Sequence, residues 1–356
     1  MLSIAVAGHI CVDIRPELTG QTGFDPGRLV AVGPVAMTLG GSVGNTGLGL
    51  AALGADVSLF TSVGDDDLGR FVQLELAEVP ARRVVAQVLT GASTSYSLIL
   101  EPSGVDRTIW HNVGANAGFT GAGIDFAGVG VFHLGYPPLL PALLMEDGEP
   151  LRRLLASARA RGATTSVDLA VVDPASPTGS FDWPAIVKNM AAQCDVLSPS
   201  LDDLTSALAV DEPYSAGLVE RLAALLISWG AAVVAISAGP HGLFLRTAGE
   251  DRLVLAGRAL EPHAREWADR AIRIPAITVA DPVTTNGAGD ASSAGLVFGL
   301  ARGIGPKASA ALAAACAAVV VSGSRPDAEA VAALRPDLAS VFDDITTGAG
   351  PALHRE

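Results

Sequence analysis

The chain predicts an α/β fold. Short β-branched runs alternate with longer Ala/Leu-rich segments, the pattern of βα units around a mostly parallel sheet. Hydrophobic residues make up 49% of the chain against 17% charged, the balance of a packed globular protein. Strands are expected at Ile4–Gly8, Val131–Leu134, Thr164–Asp168, Val196–Ser198 and Ala232–Ser237, each a short run rich in Val, Ile or Thr. Helices are expected over Asn45–Ala52, Gly148–Ala160, Leu201–Ala209, Leu218–Trp229, Ala291–Ala301 and Ala308–Val321, where Ala and Leu dominate.

Two stretches break the alternation. Arg15 to Thr38 and Arg82 to His111 hold Gly/Pro turns and alternating residues, as where Thr94–Leu100 runs into the turn Glu101-Pro102-Ser103-Gly104 and then Arg107–His111. They read as β-hairpin excursions: either a small second sheet covering a site on the main domain, or surface hairpins without that role. There is no internal repeat, and the tail after Ser324 has few distinguishing features.

Composition removes several function classes. At 356 residues the chain suits one large or two ordinary domains. A mean hydropathy of +0.42 raises the question of a membrane span. The best candidate, Ala308 to Val321, falls short of the roughly 20 residues a span requires and reads as a buried helix. The start lacks the basic segment of a signal peptide and reads as a first strand, from which a cytoplasmic location is expected. Cys11, Cys194 and Cys316 lie far apart without CxxC spacing, and the six histidines show no HExxH or close pair, so neither a disulfide framework nor a zinc site is expected. With 23 basic against 37 acidic residues the net charge is −14, which opposes attraction to nucleic acid or anionic membranes.

The sharpest local signal is Thr284-Thr285-Asn286-Gly287-Ala288-Gly289-Asp290, followed directly by a helical pattern. Small residues before a helix leave backbone N–H groups pointing at open space, and the helix dipole adds positive potential, so the turn can hold phosphate oxygens. A carboxylate there would repel a merely bound anion, but it suits a base that takes a proton from an attacking alcohol. Taken alone, the heptapeptide reads equally as an N-cap and a tight turn. A second element, Leu39-Gly40-Gly41-Ser42-Val43-Gly44-Asn45, is followed by Val63-Gly64-Asp65-Asp66-Asp67-Leu68-Gly69. Paired glycines admit a ligand close to the backbone, and Asn45 offers both donor and acceptor to sugar hydroxyls.

Together, in this order, the early GG…N element, the GDDxLG segment and the late TNGAGD resemble the two signature regions of the PfkB/ribokinase carbohydrate kinases, and Gly114-Ala115-Asn116 is similar to the family's GAN element. The resemblance spans about residues 4 to 324. It implies a ribokinase-like three-layer sandwich with a central, mostly parallel sheet and a small β lid. The kinase domain is then expected over residues 1–324, with lid segments at about 15–38 and 82–111, and a C-terminal tail over 325–356. It also implies ATP-dependent phosphorylation of a hydroxyl on a sugar or nucleoside. By similarity, Asp290 is the general base, and the amides of Gly287, Ala288 and Gly289 hold the migrating phosphoryl group. Asp13 binds substrate hydroxyls, with Gly40, Gly41 and Asn45 completing that pocket; from position alone Asp13 could equally be an exposed turn residue. Ser237-Ala238-Gly239-Pro240-His241-Gly242 resembles the nucleotide loop, so Ser237, Gly239 and Gly242, with Ser200, are expected near ATP. Asp203 is expected near Mg2+. A homodimer through the lid is among the family's arrangements.

The chain departs from the pattern in places. Ser200 and Asp203 stand where the family usually has Asn and Glu, which leaves an acid on a shorter side chain that could meet magnesium directly or through water. Thr284 replaces the Asp that helps many relatives hold a monovalent cation, so a potassium site is not carried over, although Asp281 is nearby. Arg28, Arg82, Arg83 and Arg107 could reach a substrate phosphate; Phe24, Tyr96 and Trp110 could stack on a base or pack the hairpins; His133 is expected to be packed at a strand end.

Other nucleotide-binding classes fail simple tests. A Walker A loop needs Gly-Lys-Ser/Thr, yet the only lysines are Lys188 and Lys307, neither preceded by Gly, and a protein-kinase fold needs a lysine on an early strand. Gly8-His9-Ile10-Cys11-Val12-Asp13 is not the GxGxxG of a dinucleotide fold. The rival from another class is a non-catalytic ligand-binding or regulatory protein of the same fold.

Overall fold

The computed structural model describes residues 1–18, 26–27, 29–101 and 107–343. In chain order its strands are β1 (Ile4–Gly8), β2 (Cys11–Pro16), β3 (Val35–Gly40), β4 (Val57–Gly64), β5 (Arg83–Leu89), β6 (Tyr96–Leu100), β7 (Thr108–Asn112), β8 (Val131–Gly135), β9 (Thr164–Val167), β10 (Val196–Leu197), β11 (Val233–Ser237), β12 (Leu243–Thr247) and β13 (Ala271–Ile274). They form a nine-stranded sheet, ordered β13-β12-β11-β10-β9-β8-β1-β4-β5, and a four-stranded sheet, ordered β3-β2-β6-β7. The large sheet is parallel from β5 to β11; only the β11–β12 and β12–β13 pairs are antiparallel.

Successive residues of a strand point to opposite faces, and β1 shows what that does here. Ile4 and Val6 join one apolar core while Ala5 and Ala7 join another. The first core takes in helices Ala288–Arg302 and Pro306–Val321; the second takes in Pro141–Ala160, Trp183–Gln193, Leu201–Ala207 and Ala216–Ser228. Helices thus cover both faces of the sheet, the three layers expected. Helix Pro306–Val321 is buried along most of its length, as its Ala-rich sequence predicts, and lies so close to Ala288–Arg302 that a Cβ on Gly295 would fall 2.8 Å from the Ala313 Cα. Among the described residues no helix is long and apolar enough to cross a membrane.

Three differences from the sequence reading stand out. The second excursion is split: Arg83–Leu89 pairs in parallel with β4 as the outer strand of the large sheet, and only Tyr96–Asn112 contributes to the small one. Asn45–Ala52 is helical, but helix Leu48–Ala52 is preceded by a π turn over Val43–Gly47. The tail is partly built in, since helix Ala328–Leu334 and the turn Pro336–Phe342 bury Val331, Leu338 and Phe342 in the first core.

Candidate active site

From β1 the chain moves outward to β4 and β5 on one side, then returns to β8 and continues outward on the other, so the order reverses between β1 and β8. Crevices at such a reversal, outside the carboxyl ends of the strands, are where open α/β sheets bind ligands. Gly8 and Gly135 face each other there as the last residues of β1 and β8, and the His9 N–H donates to the Gly135 carbonyl at 2.7 Å. Gly8 has φ +117°, and a Cβ would lie 2.2 Å from the Gly135 oxygen, so only glycine fits.

Helix Ala288–Arg302 aims its N-terminus at this crevice. Gly287, with φ +78°, is its N-cap, and Asp290 lies in its first turn. Asp290 is 7% exposed and its carboxylate meets three donors: Asn45 Nδ2 donates to Oδ2 at 2.9 Å, Thr46 Oγ1 donates to Oδ1 at 3.1 Å, and the Tyr136 hydroxyl also donates to Oδ1. Burial pushes the Asp290 pKa up from the carboxylate range; the Tyr136, Asn45 and Thr46 hydrogen bonds oppose the shift. Asn45, expected to face sugar hydroxyls, thus orients Asp290. Of the expected anion donors, the Ala288 amide makes a long 3.3 Å contact to the Thr285 carbonyl, while a Cβ on Gly289 would meet nothing within 4 Å, so open space lies beside it.

Asp13 comes to the same crevice from the small sheet. In β2, residues Cys11 and Asp13 share a face with Ser97 of β6 and His111 of β7, since Asp13 pairs with Ser97 and Ser97 with His111. Val12 and Ile14 share the opposite face with Met37, Leu98 and Trp110. The inner face is therefore polar and the outer face apolar. Asp13 is 5% exposed; the Asn286 Nδ2 of the Gly-rich turn donates to its Oδ2 at 3.1 Å, and the Cys11 thiol donates to its Oδ1 at 3.3 Å. Burial raises its pKa as well. A Cβ on Gly40 would sit 2.4 Å from Asp13 Oδ1, and one on Gly41 2.4 Å from His9 Nδ1. The glycine pair therefore makes room for protein side chains that line the crevice.

Farther along the same sheet edge stand the residues expected near nucleotide. Ser200 caps helix Leu201–Ala207 in a capping box, its hydroxyl accepting from the Asp203 N–H at 3.1 Å while Asp203 Oδ2 accepts from the Ser200 N–H at 2.8 Å. Ser200 is bridged to Ser237 at the end of β11. Gly239 and Gly242 follow with φ +51° and +85°, and a cavity of about 330 Å³ opens beside Ala238, His241 and Gly242, with Tyr214 stacked on His241 at 3.5 Å. Burial, with repulsion from Asp290 among the smaller causes, pushes Asp203 up to about 6.

Sequence reasoning missed Tyr136, Thr46 and Asp168. Tyr136 follows β8 in a Gly-Tyr-Pro-Pro stretch that gives no local signal. Asp168, at the end of β9, is raised well above the carboxylate range by burial, then by Asp290 and Asp203; Ser293 Oγ donates to it at 2.9 Å. Arg107 donates to the Thr285 hydroxyl, joining the small sheet to the Gly-rich turn. Arg82 pairs with Asp56 at 3.0 Å and Arg83 lies over the Phe60 ring, both away from the crevice. His133 is fully buried against Ser166, as expected. Asp281 is exposed, and Thr284 Oγ1 accepts from the Asn286 N–H at 3.1 Å. Phe24 and Arg28 lie outside the described residues. A zinc site was not expected, yet donor atoms of His9, Cys11 and His111 lie within 4.8 Å of one another.

Comparison with known proteins agrees with the fold. Ribokinase from Thermotoga maritima superposes with a TM-score of 0.68 at 19% identity, over 94% of this chain and 99% of that one. Arabidopsis thaliana ribokinase complexed with ribose and ATP gives 0.70 at 19% identity over the same shares. The Burkholderia thailandensis nucleoside kinase in complex with inosine gives 0.64 at 17%, over 93% and 95%. At these identities the likeness shows the fold, the ribokinase-like sandwich. The sequence model for pfkB family carbohydrate kinases matches residues 1–330, nearly the whole chain, and the protein belongs to that family of phosphotransferases acting on alcohol acceptors.

Proposed function

We propose that the protein phosphorylates a hydroxyl of a sugar or nucleoside with ATP, with Asp290 as general base. The observation that carries this reading is a carboxylate in the first turn of a helix, at the sheet's reversal point, with Asp13 opposite and open space beside Gly289. An ionised carboxylate has about four lone-pair sites. Three on Asp290 are taken, two on Oδ1 and one on Oδ2, so Oδ2 keeps one for an incoming hydroxyl. Asn45, Thr46 and Tyr136 fix its direction, which limits the motion lost in the transition state.

Asp13 then anchors neighbouring hydroxyls of the acceptor. The acceptor oxygen attacks the terminal phosphorus; the new O–P bond forms as the bond to the ADP oxygen breaks, and the hydroxyl proton passes to Asp290 Oδ2. Backbone donors of the Gly287–Gly289 turn face the negative charge that spreads over the phosphoryl oxygens. ATP is placed along Ser200, Ser237, Gly239 and Gly242, with the 330 Å³ cavity for its distal part. The residues present fit Mg2+: Asp203 and Asp168 are buried acids with raised pKa values, each pushed up in part by neighbouring carboxylates, a cost a dication would relieve. Bound there, Mg2+ neutralises phosphate charge. The Arg107 contact to Thr285 supports closure of the small sheet over the acceptor, which excludes water. The outer face of that sheet exposes Val35, Met37, Tyr96 and Trp110, the last by 50%, and supports pairing with a second copy.

A panel of sugars and nucleosides with coupled ADP detection tests the reading. Asp290→Asn should stop ADP release while calorimetry still shows acceptor binding; normal turnover by this variant would falsify the assignment.

A further inference from the structure

We propose that His9, Cys11 and His111 form a binding site for a thiophilic divalent cation, zinc by its donor set, that clamps the small sheet to the end of β1. His9 lies in the turn that leaves the large sheet, Cys11 opens β2, and His111 is in β7. His9 and Cys11 are two residues apart on nearly extended chain, which brings their side chains to one side, and the pairing of Ser97 with both Asp13 and His111 carries His111 to the same face. One ring nitrogen from each histidine and the Cys11 sulfur all lie within 4.8 Å of one another. The two Nε2 atoms are 3.3 Å apart. Zinc–nitrogen and zinc–sulfur bonds of about 2.0 and 2.3 Å in a tetrahedron put donors roughly 3.3–3.7 Å apart, so the histidine pair is already at ligand spacing and the sulfur needs a shift of about 1 Å.

The histidine pair turns one ring nitrogen of each toward the other, with the Cys11 sulfur close by. His9 is 2% exposed and its Nδ1 has no hydrogen-bond partner, while His111 Nδ1 faces Ser97 Oγ at 3.1 Å. An ion held by the two Nε2 atoms would replace their shared-proton contact and leave Nδ1 as the N–H side of each ring, that of His111 facing Ser97. Two imidazoles and a thiolate select zinc over magnesium, which prefers oxygen. Three protein donors leave a fourth position open, and Asp13 Oδ1 lies 3.3 Å from the Cys11 sulfur. Binding releases the thiol proton to solvent; no oxidation is involved.

Co2+ is the probe, added to the full chain after chelation. One equivalent should give the visible bands of a tetrahedral ion with a thiolate-to-cobalt charge-transfer band, both abolished by one equivalent of Zn2+. The chain has three cysteines, so a Cys194→Ser/Cys316→Ser variant that keeps the band assigns it to Cys11. That result holds even if Cys11→Ser fails to fold. His111→Gln should weaken binding roughly tenfold or more, since even outer-shell partners of a metal cost that much. Zn2+ should raise the Tm of the wild-type chain and not that of a folded Cys11→Ser variant. A six-coordinate spectrum without a thiolate band, or a band lost with Cys194 and Cys316, overturns the site. None of these measurements uses ATP or an acceptor, so their outcome is independent of the kinase mechanism.

Discussion

Replacing Asp290 by Asn removes the proposed proton acceptor and little else. The carboxamide oxygen can take the place of Oδ1 and keep the Thr46 and Tyr136 hydroxyls as donors. The amide nitrogen then faces Asn45 Nδ2, and Asn45 restores the contact by turning its own amide over. A positioned base contributes roughly 10²–10⁴-fold, about 3–5 kcal/mol of barrier, so kcat should fall by that factor while acceptor affinity stays within about threefold. Stability supplies a control with a definite sign. Burial raises the Asp290 pKa, so the folded chain holds that proton more tightly than the unfolded one, and the group's contribution is lost as pH rises through the folded pKa. The Asn variant escapes this loss and should be at least as stable as the wild type at neutral pH. Single-turnover kinetics, calorimetry of acceptor binding and thermal melts test the three points. A kcat within about threefold of wild type, or a drop matched by unfolding, would refute the reasoning.

Tyr136→Phe deletes a hydrogen bond that favours ionised Asp290, so the acidic limb of the kcat–pH profile should move to higher pH; an unmoved limb would separate Tyr136 from the base. Asp203, pushed up from 3.8 to about 6 by burial, should limit magnesium use in acid: the Mg2+ needed for half-maximal rate should rise as pH falls through about 6, and roughly tenfold in Asp203→Asn at any pH. Because its folded pKa is raised, Asp203→Asn should also gain stability relative to wild type as pH climbs from 3.8 to about 6, as melts at stepped pH would show. Gly242→Ala forces φ +85° on a residue with a Cβ, 2.1 Å from the Ile274 carbonyl; a loss of about 2 kcal/mol or more in denaturant melts is expected, with a raised KM for ATP. If the outer face of the small sheet pairs two copies, Met37→Glu with Trp110→Glu should give monomers by light scattering.

The strands of the large sheet were legible where short β-branched runs stood between polar turns, and all five expected ones formed within a residue or so. β5 was misassigned for a physical reason: Arg83–Leu89 is only half covered, so its pattern is that of any edge strand, and period alone does not say which sheet it joins. The Gly-rich turn and Asp290 carried local signals and meet in one crevice with Asp13, which only the family resemblance singled out. Of the partners of Asp290, Asn45 carried a signal, and Thr46 and Tyr136 did not. Thr46 lies 244 residues from Asp290 and Tyr136 lies 154, and only the order of the strands brings them together. The same holds for His9 and His111, 102 residues apart, which no spacing rule for metal ligands would join.

The two faces of β2 divide its work residue by residue: Cys11 and Asp13 look into the crevice, Val12 and Ile14 away from it. Gaining or losing one amino acid within that strand would exchange the two sets, leaving isoleucine where Asp13 meets Asn286 and a carboxylate among the apolar side chains of the opposite face. Related chains should therefore change length here only by two, or only in the connection between β2 and β3.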